Sequence, residues 1–222
     1  NDQINGGAGT DSLAILAGNY VPAADSNLVA VETITSAVTS TITLTSQTEG
    51  LTVTGGANVQ TITGGTGSDT FTGGGGNDIF IRTTLNAGID DITDFTTTAD
   101  KVHLTKAVFA LDSADGDVAD ANEYVEVAGA AGDLSGSLNT ANDVIVLTHA
   151  TGFAGVAEVL TSIDGVAGND AIVVFYNSDT SLVTMAYDNN INDATAATII
   201  GTFSGVAAGG IAAAFGNADF VL

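Results

Sequence analysis

The sequence predicts an all-β chain, with a parallel solenoid of short strands over residues 1–98 and a β-rich capping region over 99–222. Three observations point there. Residues 64–81 read GGTGSDTFT and then GGGGNDIFI, two tandem nine-residue units with Gly at positions one, two and four, Asp at six and Phe at eight. Stepping back in nines from Phe71 lands on Ile62, Val53 and Leu44, in a stretch where Thr and Ser alternate with Val, Ile and Leu. Past residue 140, short apolar runs bounded by turn residues recur. A fixed internal period decides architecture before any single residue does.

Each nonapeptide has its own physical logic. Glycines at positions one, two and four open backbone conformations closed to residues with a Cβ, so six residues can form a tight turn with inward carbonyls. A three-residue strand follows, and alternation along it sends Phe71 and Phe80 into the core. Two units make one coil, with turns on opposite flanks. Stacked coils lie about 4.8 Å apart, which brings the Asp carboxylates of successive same-side turns face to face. Bare carboxylates at that spacing repel, and a hard dication that takes six to eight oxygen ligands is the natural remedy. Calcium is therefore the expected glue between coils.

Composition agrees. Three basic residues stand against 26 acidic ones, a formal net charge of −23, which argues against nucleic acid or anionic membrane as partners and for cation binding. Cysteine is absent, so no disulfide staples the fold. No apolar run reaches the roughly 18 residues of a membrane helix. The first 30 residues lack the positive start of a signal peptide. Because the chain opens inside a repeat, we expect the C-terminal piece of a longer protein.

Taken in order, residues 1–5 (NDQIN) read as the tail of a repeat with Asp2 at position six, and 6–14 (GGAGTDSLA) as a full unit carrying Asp11. Residues 20–27, with the only proline, Pro22, are expected to be a loop. Over 28–54 the metal motif has decayed but the strand pattern persists, so these coils are expected to be held by packing alone. Residues 55–63 (GGANVQTIT) are intermediate: Gln60 stands for Asp and can offer an oxygen but no charge. Full repeats are thus expected over 1–14 and 55–81.

Downstream, 110–133 is an acidic excursion. Strands are expected at 143–148, 171–176 and 181–187, with a hairpin turn at 177–180. Apolar residues at 153, 156, 159, 160 and 163 predict an amphipathic helix over 153–163.

The nonapeptide G-G-x-G-x-D-x-U-x at 64–81 resembles the hemolysin-type RTX calcium-binding repeat, which forms a β-roll. Residues 90–105 (DDITDFTTTADKVHLT) resemble the segment that caps such rolls in secreted proteases, lipases and surface-layer proteins, with Thr98 where Gly is common and His103 where Asp is common. The ending at 217–222 (NADFVL), an acidic residue before large apolar ones, resembles the uncleaved signal of type I secretion substrates. These resemblances imply Ca2+ as the bound ion, export through type I machinery by the C-terminus, and a secreted or cell-surface location.

The expected ligands are Asp69 with the carbonyls of Gly64, Gly65 and Gly67, and Asp78 with those of Gly73, Gly74 and Gly76. A flexible Gly-Asp linker would lack the nine-residue phase with an apolar eighth position. Same-side neighbours lie two units apart, so Asp78 should share its ion with the 55–60 turn, including Gly55 and Gly56, and Asp69 should face Asp90 or Asp91. Asp11, with Gly6, Gly7 and Gly9, is a further candidate, as is Asp2. Residues 112–120 (DSADGDVAD) fail the EF-hand spacing, since Gly116 at loop position six puts Leu111 at one and Asn122 at twelve. His103 and His149 have no H-E-x-x-H partner, no G-K-[ST] closes a Gly cluster and no G-x-S-x-G is present. No catalytic constellation is found, so no enzyme activity is expected.

Two functions compete at this level. One is a calcium-dependent structural protein, the C-terminal region of an S-layer protein or adhesin that self-associates into a surface lattice. The other is the secretion and folding module of an exoenzyme, a metalloprotease or lipase, with its catalytic domain upstream. Sequence before Asn1 discriminates: H-E-x-x-H or G-x-S-x-G favours the enzyme, Thr-rich repeats the lattice.

Overall fold

The computed structural model describes residues 3–85, 87–109, 111, 124–129, 134, 138, 143–149, 151–163, 170–190 and 197–221. The repeat region contributes β1 (Ile4–Asn5), β2 (Ser12–Ile15), β3 (Leu28–Val29), β4 (Thr33–Ser36), β5 (Ser40–Thr43), β6 (Thr52–Gly55), β7 (Gln60–Thr63), β8 (Thr70–Thr72) and β9 (Ile79–Arg82). β10 (Asp90–Ile92) and β11 (Lys101–Leu104) follow. Then come β12 (Tyr124–Val127), β13 (Val144–Leu147), α1 (Val156–Ile163), β14 (Ala171–Asn177), β15 (Leu182–Asp188), β16 (Thr198–Phe203), α2 (Ile211–Ala214) and β17 (Phe220–Val221). The fold is all-β and its N-terminal part is a parallel β-solenoid.

Alternate strands go to opposite walls. One wall runs β2, β4, β6, β8, β10 and continues through β16 into β15, β14, β13 and β12; the other runs β5, β7, β9, β11, β17. Every pairing within the solenoid is parallel, and each stacks like on like. Ile34, Val53, Phe71 and Ile92 form one column, and Ile42, Ile62, Phe80, Val102 and Phe220 the other. Flanking threonines point outward, the in-out alternation that a strand with one wet face requires. Phe71 and Phe80 stack across the interior with ring centroids 6.3 Å apart.

The coil step explains where periodicity reads correctly. From Val53 to Phe71 and from Ile62 to Phe80 it is eighteen residues, two nonapeptides. Below that the step lengthens: Ile34 pairs with Val53 and Ile42 with Ile62. The place in the column expected for Leu44 therefore belongs to Ile42, while Leu44 is buried at the corner beyond β5 and donates its N–H to Thr63 O.

The expected boundary at residue 98 falls inside a coil, since β10 and β11 on either side of it extend the two walls. Phe220 of β17 then pairs over Val102, so the last strand completes the second wall. β14 and β15 form the expected antiparallel hairpin. The helix starts at Val156 rather than Phe153, because Phe153 bridges to Asn177 and Gly155 has φ +82°. A second core lies under α1, where Val159, Leu160 and Ile163 pack with Ile145, Val173 and Phe175.

Candidate metal centre

On each flank the residues that open successive strands, either just before the strand or its first residue, form a vertical column. One column is Asp11, Glu32, Leu51, Asp69 and Asp90; the other is Ser40, Gln60, Asp78 and Asp100. Carboxylates in these columns accept the main-chain N–H of the residue beneath. Glu32 Oε2 accepts from Asp11 at 2.7 Å, Asp69 Oδ1 from Leu51 at 2.8 Å and Asp90 Oδ1 from Asp69 at 3.0 Å. Opposite, Asp78 Oδ1 accepts from Gln60 at 2.6 Å and Asp100 Oδ1 from Asp78 at 2.9 Å. Each acid thus ties its coil to the one before it, a charge-assisted contact stronger than a neutral one.

The glycines divide the three full repeats into two kinds of turn. In 6–11 and 73–78, positions two and four are left-handed: Gly7 and Gly9 at φ +95° and +126°, Gly74 and Gly76 at +92° and +115°. In 64–69, neither Gly65 nor Gly67 has positive φ; they are needed because a Cβ would fall 2.4 Å from Gln47 O and 2.3 Å from the Glu49 carbonyl. Position one is the same in all three. A Cβ on Gly6, Gly64 or Gly73 would meet the position-six Asp within 3 Å, so that side chain folds back over bare backbone.

The acids divide the same way. Asp11 Oδ2 and Asp78 Oδ2 are buried and have no hydrogen-bond partner, whereas Asp69 uses both oxygens, for Leu51 N–H and Gly65 N–H. Asp78 is 1 % exposed. Burial pushes its carboxyl up to about 6; the Gln60 N–H pulls it back, and the charges of Asp100 and Asp94 push it further up. A buried carboxylate oxygen without a donor, facing two more carboxylates, is the environment a hard divalent cation relieves. Among the described residues no three His, Cys, Asp or Glu side chains converge as a ready metal cluster, so turn carbonyls would supply the remaining ligands. The donor set is all oxygen and fits calcium.

The 55–60 turn lies against 73–78 as expected: Gly75 N–H donates to Gly56 O at 2.7 Å, and a Cβ on Gly55 would fall 2.1 Å from Gly73 O. Asp69 and Asp90 are brought together, but Asp91 is not, its carboxylate being turned to Thr202 Oγ1, Ser204 N and Ser204 Oγ. Asp2 and residues 112–120 lie outside the described residues. Sequence reasoning missed Glu32, Asp94 and Asp100. Asp94 holds the 73–78 turn from above, accepting from Gly73 N–H at 2.9 Å and Gly74 N–H at 2.7 Å. Glu32 and Asp100 could have been found, because each stands one residue before an alternating strand, as Asp69 and Asp78 do.

A two-walled parallel solenoid with glycine turns and columns of carboxylates along its flanks is a β-roll, a structural metal-binding scaffold. Residues 1–21 and 54–81 match the RTX calcium-binding nonapeptide repeat in four copies. These segments are RTX-type repeats, and RTX calcium-binding repeats bind Ca2+. RTX repeats are typical of secreted extracellular bacterial proteins. The comparison with curated proteins gives no match. Among the described residues no helix is long and apolar enough to cross a membrane.

Proposed function

We propose that this chain is the calcium-gated C-terminal module of a type I secreted surface protein, an S-layer protein or adhesin, which folds and self-associates outside the cell. The observation that carries the calcium gate is Asp78 Oδ2, a buried carboxylate oxygen with no donor, in a turn with Gly at both left-handed positions. Calcium at 73–78 would be held by Asp78 with carbonyls of Gly73, Gly74 and Gly76 and of the 55–60 turn; at 6–11 by Asp11 with those of Gly6, Gly7 and Gly9. Bound there, the ion neutralises the carboxylates, and its binding free energy becomes folding free energy.

In calcium-poor cytosol a chain of net charge −23 stays open through self-repulsion. In this reading the C-terminal residues have two uses: recognition by the exporter while the chain is extended, and closure of the solenoid once it is folded. A structural rather than enzymatic role is supported by coils 28–54, which lack the metal motif yet remain packed around Ile34, Ile42 and Val53.

The test is calcium titration of the purified chain, followed by circular dichroism and electron microscopy. β signal that appears with calcium, together with ordered assemblies, is the expected result. A β signal intact after exhaustive chelation rejects the calcium gate, and monomers at every concentration reject the lattice.

A further inference from the structure

The 64–69 turn, with ordinary glycine conformations and both Asp69 oxygens engaged, sits beneath the connection from β9 to β10. Gly88 N–H donates to Thr66 O at 2.9 Å and Ile89 N–H to Ser68 Oγ at 3.1 Å, so the two layers are in direct contact. Into this layer the chain puts its single arginine. Arg82, the last residue of β9, is 6 % exposed in a protein with three basic residues in all.

Its guanidinium is surrounded by oxygen. Nε donates to Thr84 O at 2.9 Å, Nη1 to Gly88 O and Asp90 Oδ2, both at 2.8 Å, and Nη2 to Ala87 O at 3.2 Å. Asp90 Oδ2 and Asp69 Oδ2 lie 3.1 and 2.8 Å from where a Gly64 Cβ would stand, so both acids gather over the same bare backbone. Three main-chain carbonyls and a carboxylate around one positive centre are the ligand types a calcium ion collects. Guanidinium meets them with fixed, planar donors and does not lose its proton. On the opposite flank, Gln60 likewise puts a side-chain nitrogen among turn carbonyls, donating to Val38 O at 3.0 Å and Asn58 O at 2.9 Å.

We propose that Arg82 is a built-in cation: its guanidinium takes the place of calcium between the 64–69 turn and the capping coil, which therefore closes without an ion. This rests on the calcium function proposed above. It removes Asp90 from the expected metal ligands and leaves the ion-requiring turns at 6–11 and 73–78. The molecule is then divided into calcium-dependent turns and one self-neutralised seam.

The experiment counts calcium bound per chain, by equilibrium dialysis of the whole chain and of Arg82→Met. The variant keeps the bulk of the stem but leaves Asp90 and three carbonyls without a positive partner, so one additional calcium per chain is expected. A count equal to that of the parent overturns the inference. Asp90→Asn is the independent arm and decides alone if Arg82→Met does not fold. An unchanged calcium count supports the inference, and loss of one calcium overturns it by making Asp90 a ligand. A parent chain that takes up no calcium overturns the calcium function itself, whereas a calcium-binding parent with an unresponsive Arg82→Met overturns only the substitution of guanidinium for metal.

Discussion

The hydroxyl of Ser40 donates to Oε1 of Gln60 at 2.7 Å, joining two buried side chains in successive coils of the same wall. Ser40 sits below Gln60 as Gln60 sits below Asp78, so a neutral polar pair continues a column that begins with acids. Gln60→Leu removes the Ser40 contact and leaves Val38 O and Asn58 O without the amide donor. A loss of about 2–4 kcal/mol is expected, from buried polar groups left unpaired. Urea unfolding at saturating calcium measures it, and a loss below about 1 kcal/mol contradicts the role.

Asp78 and Asp69 should separate on substitution. Asp78→Ala takes away a free buried oxygen and is expected to raise the calcium midpoint of the β signal about tenfold or more, as fewer charged ligands weaken such sites. Asp69→Ala takes away two hydrogen bonds and is expected to lower stability at every calcium concentration with a midpoint shift below about threefold. Paired titrations by circular dichroism check both; equal midpoint shifts would refute the distinction.

The pH dependence has a definite sign. Asp78 is raised from 3.8 to about 6 in the folded calcium-free chain, and burial also raises Asp100. A raised folded value favours the protonated native state, so this contribution is complete below the unfolded value and is lost as pH rises through about 6. The folding equilibrium of the calcium-stripped chain should therefore lie further towards the folded side, with more β signal, at pH 5 than at pH 7. Calcium needs the ionised form, so its binding should weaken below about pH 6. Circular dichroism of the stripped chain and calcium titrations at the two pH values measure both trends.

Gly7 and Gly74 occupy the same place in their repeats and both are left-handed, but only Gly74 is crowded: its Cβ would lie 2.0 Å from Gly56 O. Gly7→Ala should cost about 1–2 kcal/mol, the price of the conformation alone. Gly74→Ala should cost clearly more, because backbone must move. Chemical denaturation of the two variants under saturating calcium gives the comparison.

Much of this was legible in the sequence because the informative signal was a period. Where the coil step is two nonapeptides, the stacking of Val53 on Phe71 and of Ile62 on Phe80 can be counted directly. It fails at Leu44 because ITLT offers two apolar residues two apart, and alternation does not say which one stacks once the turns lengthen. Asp69 and Asp78 look identical in the motif, and what separates them is the conformation of their turn glycines and the coils above and below. Nothing in the sequence marks Arg82, since its partners besides Asp90 are main-chain carbonyls, which no motif records.

The pairing of Phe220 with Val102, supported by the hydrogen bond from Thr97 to Asp219 across 122 positions of sequence, means the solenoid cannot finish from one end to the other. Its final rung must wait for everything between to find its place. Such a long excursion makes closure the slow entropic step of folding, and a chain missing its last few residues would keep a raw sheet edge over Val102. The segment at 217–221 is in this sense the latch of the solenoid.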